Sequence, residues 1–192
     1  RVAKHQWLPS RGRQVATDIG PSQESLKRAA QLISGAKSPV IVAGRSVADA
    51  DAVSELVSLA ETIAAPVYTG NETRLIFPSN HPLYRGLAFQ QSHVLRRLAA
   101  SADVLLVIGS DIFKHDDPSE VPIVSADTRV IQIDLEARAL ARFCSTEMAL
   151  LANPKVALGA LEDAIGRLIS GKEHADRMER LTIEQQQRQA FV

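Results

Sequence analysis

The segment DVLLVIG at Asp103–Gly109 constrains the fold of this chain more than any other feature. Its unbroken apolar core is too short for a buried helix and ends in glycine, which is typical of a β-strand covered on both faces. The run PVIVAG at Pro39–Gly44 has the same form. Strands of this kind occur mainly in parallel sheets, so the two runs predict a sheet buried between layers of helices.

Segments with helical spacing separate such strands. One helix is predicted to begin after Ser22 and to end at Gly35, others cover 53–64 and 92–100, and Asn153 with Pro154 opens another. Further strands are predicted at residues 66–69, 84–86, 129–134 and 147–151. Alternating strands and helices form βαβ units, so the sequence predicts an α/β fold: a doubly wound sheet of about six parallel strands with helices on both faces.

The chain of 192 residues suits one domain with additional segments. Residues 1–20 show no sustained period and are interpreted as a linker or arm, and residues 21–171 form the domain itself. Residues 172–192 are rich in Glu, Gln and Arg, with pairs such as Glu173/Arg177 at helical spacing, and predict a solvated connector helix. The chain starts at Arg1 and ends on an apolar step at Phe191–Val192, so we expect it to be one part of a longer polypeptide.

Composition argues against several classes of protein. Lys plus Arg equals Asp plus Glu at 22 each, whereas nucleic-acid-binding proteins are usually basic. No apolar run reaches membrane-spanning length, and the first residues do not form a signal peptide. The single cysteine, Cys144, cannot form an internal disulfide or a structural zinc site. These features predict a cytoplasmic protein that binds neither membranes nor nucleic acid.

Ligands of doubly wound sheets bind beyond the carboxyl ends of the strands, here Gly44, Thr69–Gly70, Gly109–Ser110 and Asp134. A dinucleotide fingerprint needs three glycines, and only the first is present at Gly44. The same stretch lacks the second glycine of a nucleophile elbow, because Ala48 occupies that position. Neither a standard NAD site nor a Ser/His/Asp hydrolase is therefore predicted.

Other polar candidates have ordinary explanations. The stretch Lys114–Asp117 resembles a metal cluster, but adjacent residues seldom converge on one ion, and a solvated loop is the favoured interpretation. The cationic residues near Cys144 in sequence form no pattern strong enough to predict a reactive thiolate. Asp134 ends a strand, where an aspartate either binds a ribose or caps the following turn, and both interpretations stand.

The order of the segments resembles the central domain of thiamine-diphosphate enzymes, the group of acetolactate synthase, pyruvate oxidase and benzoylformate decarboxylase. The resemblance covers residues 21–170, and benzoylformate decarboxylase is the most similar pattern. It rests on SPVIVAG at Ser38–Gly44, LAETIAAPVYTG at Leu59–Gly70, FPSNHPLYRGL at Phe77–Leu87, ADVLLVIGS at Ala102–Ser110 and RVIQIDLE at Arg129–Glu136.

The resemblance implies a Rossmann-like sheet within a three-domain, oligomeric enzyme. In that family the two other domains hold thiamine diphosphate and Mg²⁺, one of them through a Gly-Asp-Gly motif that this chain lacks. Some members bind FAD or ADP in the central domain, and the matching positions here are Gly44, Arg45, Gly109, Ser110 and Asp134, with the loop Leu87–Gln91. That loop has bulky residues where flavin-binding members have glycines, so a filled nucleotide site is not favoured.

These observations lead to a structural and assembly domain of a 2-oxo acid decarboxylase, with no catalytic residue and no metal ligand in this chain. Its partners are the two thiamine-binding domains of the same polypeptide and further copies in a homo-oligomer. A nucleotide-binding domain of a synthase- or oxidase-like enzyme is the second hypothesis. An independent small α/β enzyme is the third, and it lacks a convergent catalytic set.

Overall fold

A computed structural model describes residues 16–70, 74–88, 92–110, 124–142 and 144–189. Its centre is a parallel sheet of six strands in the order β3-β2-β1-β4-β5-β6. The strands are β1 (Pro39–Ala43), β2 (Val67–Thr69), β3 (Tyr84–Leu87), β4 (Val104–Ile108), β5 (Arg129–Asp134) and β6 (Met148–Leu151). The predicted α/β class, the parallel pairing and the strand count are confirmed.

The helices are α1 (Gln23–Ser34), α2 (Arg45–Asp49), α3 (Val53–Ile63), α4 (Ser92–Ala100), α5 (Pro154–Gly166) and α6 (Gly171–Gln189). Their starts follow the chemistry of the caps: Ser22 Oγ accepts from Ser25 N, and Asn153 Oδ1 accepts from Lys155 N at 2.8 Å. Helix α2 was not predicted, because a single turn of five residues is too short to show a helical period.

Alternation along the strands divides the core into two faces. Ile41, Leu106 and Ile131 lie side by side in register and belong to the larger apolar cluster, which α1, α3 and α5 cover. Val42 and Val107 point to the opposite face, where Leu98 and Ala99 of α4 pack against them. Helices therefore cover both faces of the sheet, as predicted.

The last helix is anchored more firmly than a solvated connector. Leu181 is 9% exposed and belongs to the larger cluster, and Met178 packs against it. The predicted ion pair between Glu173 and Arg177 is replaced by other contacts: Glu173 accepts from Ser170 N at 2.9 Å, and Arg177 is buried against backbone carbonyls. None of the helices in the described parts of the chain is long and apolar enough to cross a membrane.

Candidate functional site

The topological switch point of the sheet lies between β1 and β4, whose onward connections run in opposite directions across the sheet. Four of the five predicted site residues lie close to one another there. Gly44 follows β1 and donates from its N–H to Ile108 O at 2.8 Å, and Gly109 donates to Ile133 O at 2.9 Å. The carboxyl ends of β1, β4 and β5 are thus joined by backbone hydrogen bonds.

Gly44 and Gly109 allow the two loops to touch. A Cβ placed on Gly44 would lie 2.4 Å from Gly109 O and 2.6 Å from Ser110 Cα, so no side chain fits. Gly109 has a φ of +56°, in the left-handed region, and a Cβ there would lie 2.3 Å from Ser46 Cβ. The glycines serve close packing of the protein against itself, and the space beside them is occupied by its own backbone.

Asp134, only 7% exposed, is bound from two sides. Its Oδ1 accepts from Glu136 N at 2.9 Å, which closes the turn after β5, and from Ser46 Oγ at 3.3 Å. The first contact is the turn-capping role considered for this residue. The second ties the turn after β5 to α2, so the carboxylate that could face a ribose already has hydrogen-bond donors of the protein.

The pocket at this edge is small. It is lined by Val107, Gly109, Ser110, Gln132, Ile133, Asp134, Ala139 and Leu140 and encloses about 180 Å³, including its open mouth. The part of this space that could hold a molecule is about 10 Å³, roughly the room of one water, whereas ligand pockets usually measure about 300–1,000 Å³. As the described residues form it, this pocket does not hold a dinucleotide.

Arg45 is the predicted site residue that does not line this pocket. Its side chain is 71% exposed, and Nε donates to Asp49 Oδ2 at 3.1 Å within α2. Arg74 pairs with the same carboxylate. Arg45 therefore takes part in a group of ion pairs at the surface. Exposed pairs of this kind stabilise a fold only weakly.

Gln132 lines the pocket and was missed by the sequence reasoning. It is 5% exposed on β5, its Oε1 accepts from Ala141 N at 2.6 Å, and it holds the loop after β5 against the sheet. The signal was available, because an amide inside the apolar run RVIQID is a polar group that burial obliges to find a partner.

The remaining candidates that lie in the described parts of the chain form no second site. Cys144 is half-buried, and burial raises the pKa of its thiol, with a smaller opposite effect from the hydrogen bond with Thr146. His81 contacts Glu61 Oε1 at 3.2 Å and the ring of Phe77. Among the described residues, no three His, Cys, Asp or Glu side chains are grouped as a metal site requires. Lys114–Asp117 and residues 89–91 of the predicted loop Leu87–Gln91 lie outside the described residues.

Comparison with known proteins agrees with this architecture. The family model "Thiamine pyrophosphate enzyme, central domain" matches residues 26–161. The sulfoacetaldehyde acetyltransferase of Rhodobacter capsulatus is 30% identical over 167 residues, which cover 84% of this chain and 28% of that protein. The benzoylformate decarboxylase of Pseudomonas aeruginosa is 27% identical over 131 residues, or 68% of this chain and 25% of that protein.

A solved structure shows the same fold. The thiamine diphosphate-dependent 4-hydroxybenzoylformate decarboxylase of Rhodococcus jostii RHA1 superposes with a TM-score of 0.71 at 25% identity, over 81% of this chain and 29% of that one. In all three comparisons the chain spans less than a third of its relative.

Proposed function

The chain belongs to the family of thiamine pyrophosphate enzyme central domains, and we propose that it serves its enzyme as a structural and assembly domain without catalytic residues. In this proposal residues 21–171 are the domain, residues 1–20 link it to a preceding domain, and residues 172–192 lead to a following one. The enzyme is a cytoplasmic homo-oligomer in which thiamine diphosphate and Mg²⁺ are held by the other domains.

The close approach of Gly44 to Gly109 carries the proposal. Doubly wound folds bind ligands beyond the carboxyl ends of the strands. Here backbone atoms occupy the space beside Gly44, since a Cβ on it would lie 2.4 Å from Gly109 O. The hydrogen bond between Ser46 and Asp134 also joins α2 to the end of β5 at this edge. This packing supports a sheet edge that stabilises the domain and argues against the alternative of an FAD or ADP site.

The described residues do not fit thiamine diphosphate. The chain has no Gly-Asp-Gly sequence. Among the described residues that line the pocket at the switch point, the one carboxylate is Asp134, which its own turn already engages. A diphosphate with its metal needs several oxygen ligands and flexible backbone donors together. We therefore assign no step of the reaction to this chain.

For the whole enzyme we favour decarboxylation of a 2-oxo acid of the benzoylformate kind. The support is the 4-hydroxybenzoylformate decarboxylase among the structural neighbours and the benzoylformate decarboxylase among the relatives. Sulfoacetaldehyde acetyltransferase is the second candidate, since proteins of that name reach 45% identity over 89 residues. Turnover of benzoylformate against that of sulfoacetaldehyde by the complete polypeptide distinguishes the two.

The domain's own role is tested by ligand titration of the purified chain. A ligand at 100 times its dissociation constant stabilises a fold by about 2.7 kcal/mol, which a thermal-shift or calorimetric measurement resolves. We expect no shift with ADP or FAD, and no turnover of benzoylformate when thiamine diphosphate and Mg²⁺ are added. Saturable stabilisation by either nucleotide would replace the structural role with nucleotide binding, and enzyme-like turnover would refute the proposal outright.

A further inference from the structure

Helix α6 is polar in sequence, yet one stripe of it lies against the domain. His174, Arg177, Met178 and Leu181 are spaced three or four residues apart and therefore share one face. His174 Nε2 donates to Glu61 O at 2.7 Å, and Leu181 is buried in the larger core cluster. The charged member of this stripe, Arg177, is also buried, with 7% of its surface exposed.

The guanidinium of Arg177 lies where two helices end. Its Nη2 donates to Ser34 O at 2.5 Å and to Ala36 O at 2.8 Å, at the end of α1. Its Nη1 makes a longer hydrogen bond of 3.4 Å to Ile63 O, the last residue of α3. Each of these acceptors is a backbone carbonyl at or just beyond a helix carboxyl terminus.

This arrangement explains how a charge is tolerated in the core. The last carbonyls of a helix have no partner within the helix and carry partial negative charge, so a cation there is stabilised. Burial lowers the pKa of Arg177, and the nearby charges of Glu173 and Asp103 oppose that effect. An arginine still remains protonated at neutral pH, and its planar fork suits several oxygens at once.

Asp103 binds the same turn, between α1 and β1, through its backbone amides. Its two carboxylate oxygens accept from Lys37 N at 2.6 Å and from Ser38 N at 2.9 Å. The turn between α1 and β1 is therefore held by a cation on its carbonyls and by an anion on its amides. Since Asp103 directly precedes β4, the position of α6 is connected to the central strand of the sheet.

The described side chains of α6 that contact the domain lie between Ser170 and Leu181, at the start of the helix. Beyond Leu181, Thr182 and Ile183 are exposed, with Ile183 at 47%, and Gln186 is exposed as well. The helix continues to Gln189. Among the described side chains, those that fix the direction of α6 therefore lie at or before Leu181.

We propose that Arg177 is a guanidinium clamp that holds α6 to the converging carboxyl ends of α1 and α3 and so sets the direction in which the chain leaves the domain. The directional role rests on the proposed function, in which another domain follows α6. The clamp itself requires only this chain, and its test involves neither thiamine diphosphate nor enzymatic activity.

Hydrogen exchange of the 192-residue chain tests the clamp. In Arg177→Ala we expect the amides of α6 to exchange about 10- to 100-fold faster, since buried carbonyls lose a charged donor, while β4 stays protected. Methylguanidinium at millimolar concentration should restore part of the protection by occupying the vacated site. Arg180→Ala is the matched control, because Arg180 is exposed on the same helix and bonds only weakly to Asp176 O of its own turn at 3.4 Å.

Spin labels at Lys27→Cys and Gln186→Cys, in a Cys144→Ser background, test the direction of exit, because both sites are exposed. A narrow distance distribution that broadens in Arg177→Ala supports the proposal. Unchanged exchange and an unchanged distribution would overturn it, as would equal effects of Arg180→Ala. If Arg177→Ala does not fold, Arg177→Lys decides, because its single ammonium cannot reach both helix ends: native exchange in α6 would then refute the clamp, and selective acceleration there would support it.

Discussion

The hydroxyl of Ser46, in α2 after β1, donates at 3.3 Å to the carboxylate of Asp134 at the end of β5. The contact passes the end of β4, which lies between β1 and β5 in the sheet. The residues are 88 positions apart in sequence. Gly109 directly follows β4. It lies so close to Ser46 that a Cβ on Gly109 would be 2.3 Å from Ser46 Cβ. The contact and the missing side chain together explain how the segments that follow β1, β4 and β5 pack against one another.

A double-mutant cycle measures this contact. Ser46→Ala and Asp134→Ala should each lower the free energy of unfolding, with a coupling energy of about 0.5–1.5 kcal/mol, the usual net value of one hydrogen bond. Urea denaturation gives the four stabilities. Asp127→Ala is the control partner for Ser46→Ala, because Asp127 is exposed near the opposite end of β5 and the two effects should simply add. Additivity of the Ser46–Asp134 cycle would show that this hydrogen bond contributes nothing.

Gly44→Ala should destabilise the domain. The new methyl would lie less than 3 Å from backbone atoms of Gly109 and Ser110, which follow β4. Backbone held by hydrogen bonds at the end of a sheet cannot move aside at low cost. Overpacking of this kind costs about 1–3 kcal/mol, read as a lower midpoint of urea unfolding.

Gly159→Ala is the matched control for that substitution. Gly159 lies inside α5, and a Cβ there meets nothing within 4 Å, so alanine should stabilise the helix by about 0.5–1 kcal/mol. Opposite signs for the two glycines are expected. A neutral Gly44→Ala would mean that the two loops separate easily, and would reopen the case for a ligand between them.

Cys144 should react slowly with a thiol reagent in the native chain. Burial raises the pKa of its thiol, and the thiolate is the reactive form. The chain has one cysteine, so the modification rate with a disulfide reagent at pH 8 reports on this residue alone. The rate should rise to that of a free thiol in denaturant, and a native rate as fast as in denaturant would contradict the prediction.

The same shift gives a pH dependence of stability. The folded state holds the thiol proton more tightly than the unfolded state, so unfolding releases a proton in the window between the two pKa values. The contribution of Cys144 is complete below the unfolded thiol pKa and is lost as the pH rises through the folded one. Cys144→Ser should flatten this alkaline decline in urea-unfolding measurements, and an identical decline in both proteins would rule it out.

The strands and helix caps could be read from the sequence because they depend on neighbouring residues. The apolar run of β4 and the Asn153–Pro154 cap are local signals, and family motifs added the order of the segments. The close packing at this edge could not be read from the sequence, since it depends on how near Gly44 and Gly109 come, and they follow strands that are distant in sequence. Missing glycines argued against a nucleotide, but the glycines present proved to serve packing.

Arg177 shows the same limit more sharply. Its spacing from Glu173 predicted a solvated pair, because helical periodicity reports only on neighbours along the helix. The carbonyls that bind it belong to residues more than 110 positions earlier. A sequence does not display backbone acceptors, so a buried arginine bound by helix ends looks the same as an exposed one.

Asp103→Asn should weaken the turn that Asp103 and Arg177 share. The carboxylate accepts from Lys37 N and Ser38 N with one oxygen each, and an amide offers only one acceptor, so one backbone N–H must lose its partner or face an NH₂ group. Charge-assisted hydrogen bonds to backbone N–H are among the stronger ones, and the loss should amount to about 1–3 kcal/mol in urea unfolding. Asp163→Asn, exposed on α5, carries the same change of charge and should cost less than about 0.5 kcal/mol. Equal small effects of both variants would show that the backbone amides of Lys37 and Ser38 do not depend on Asp103. The expected difference would show that residues 34–38 connect α6, through Arg177, to β4, through Asp103.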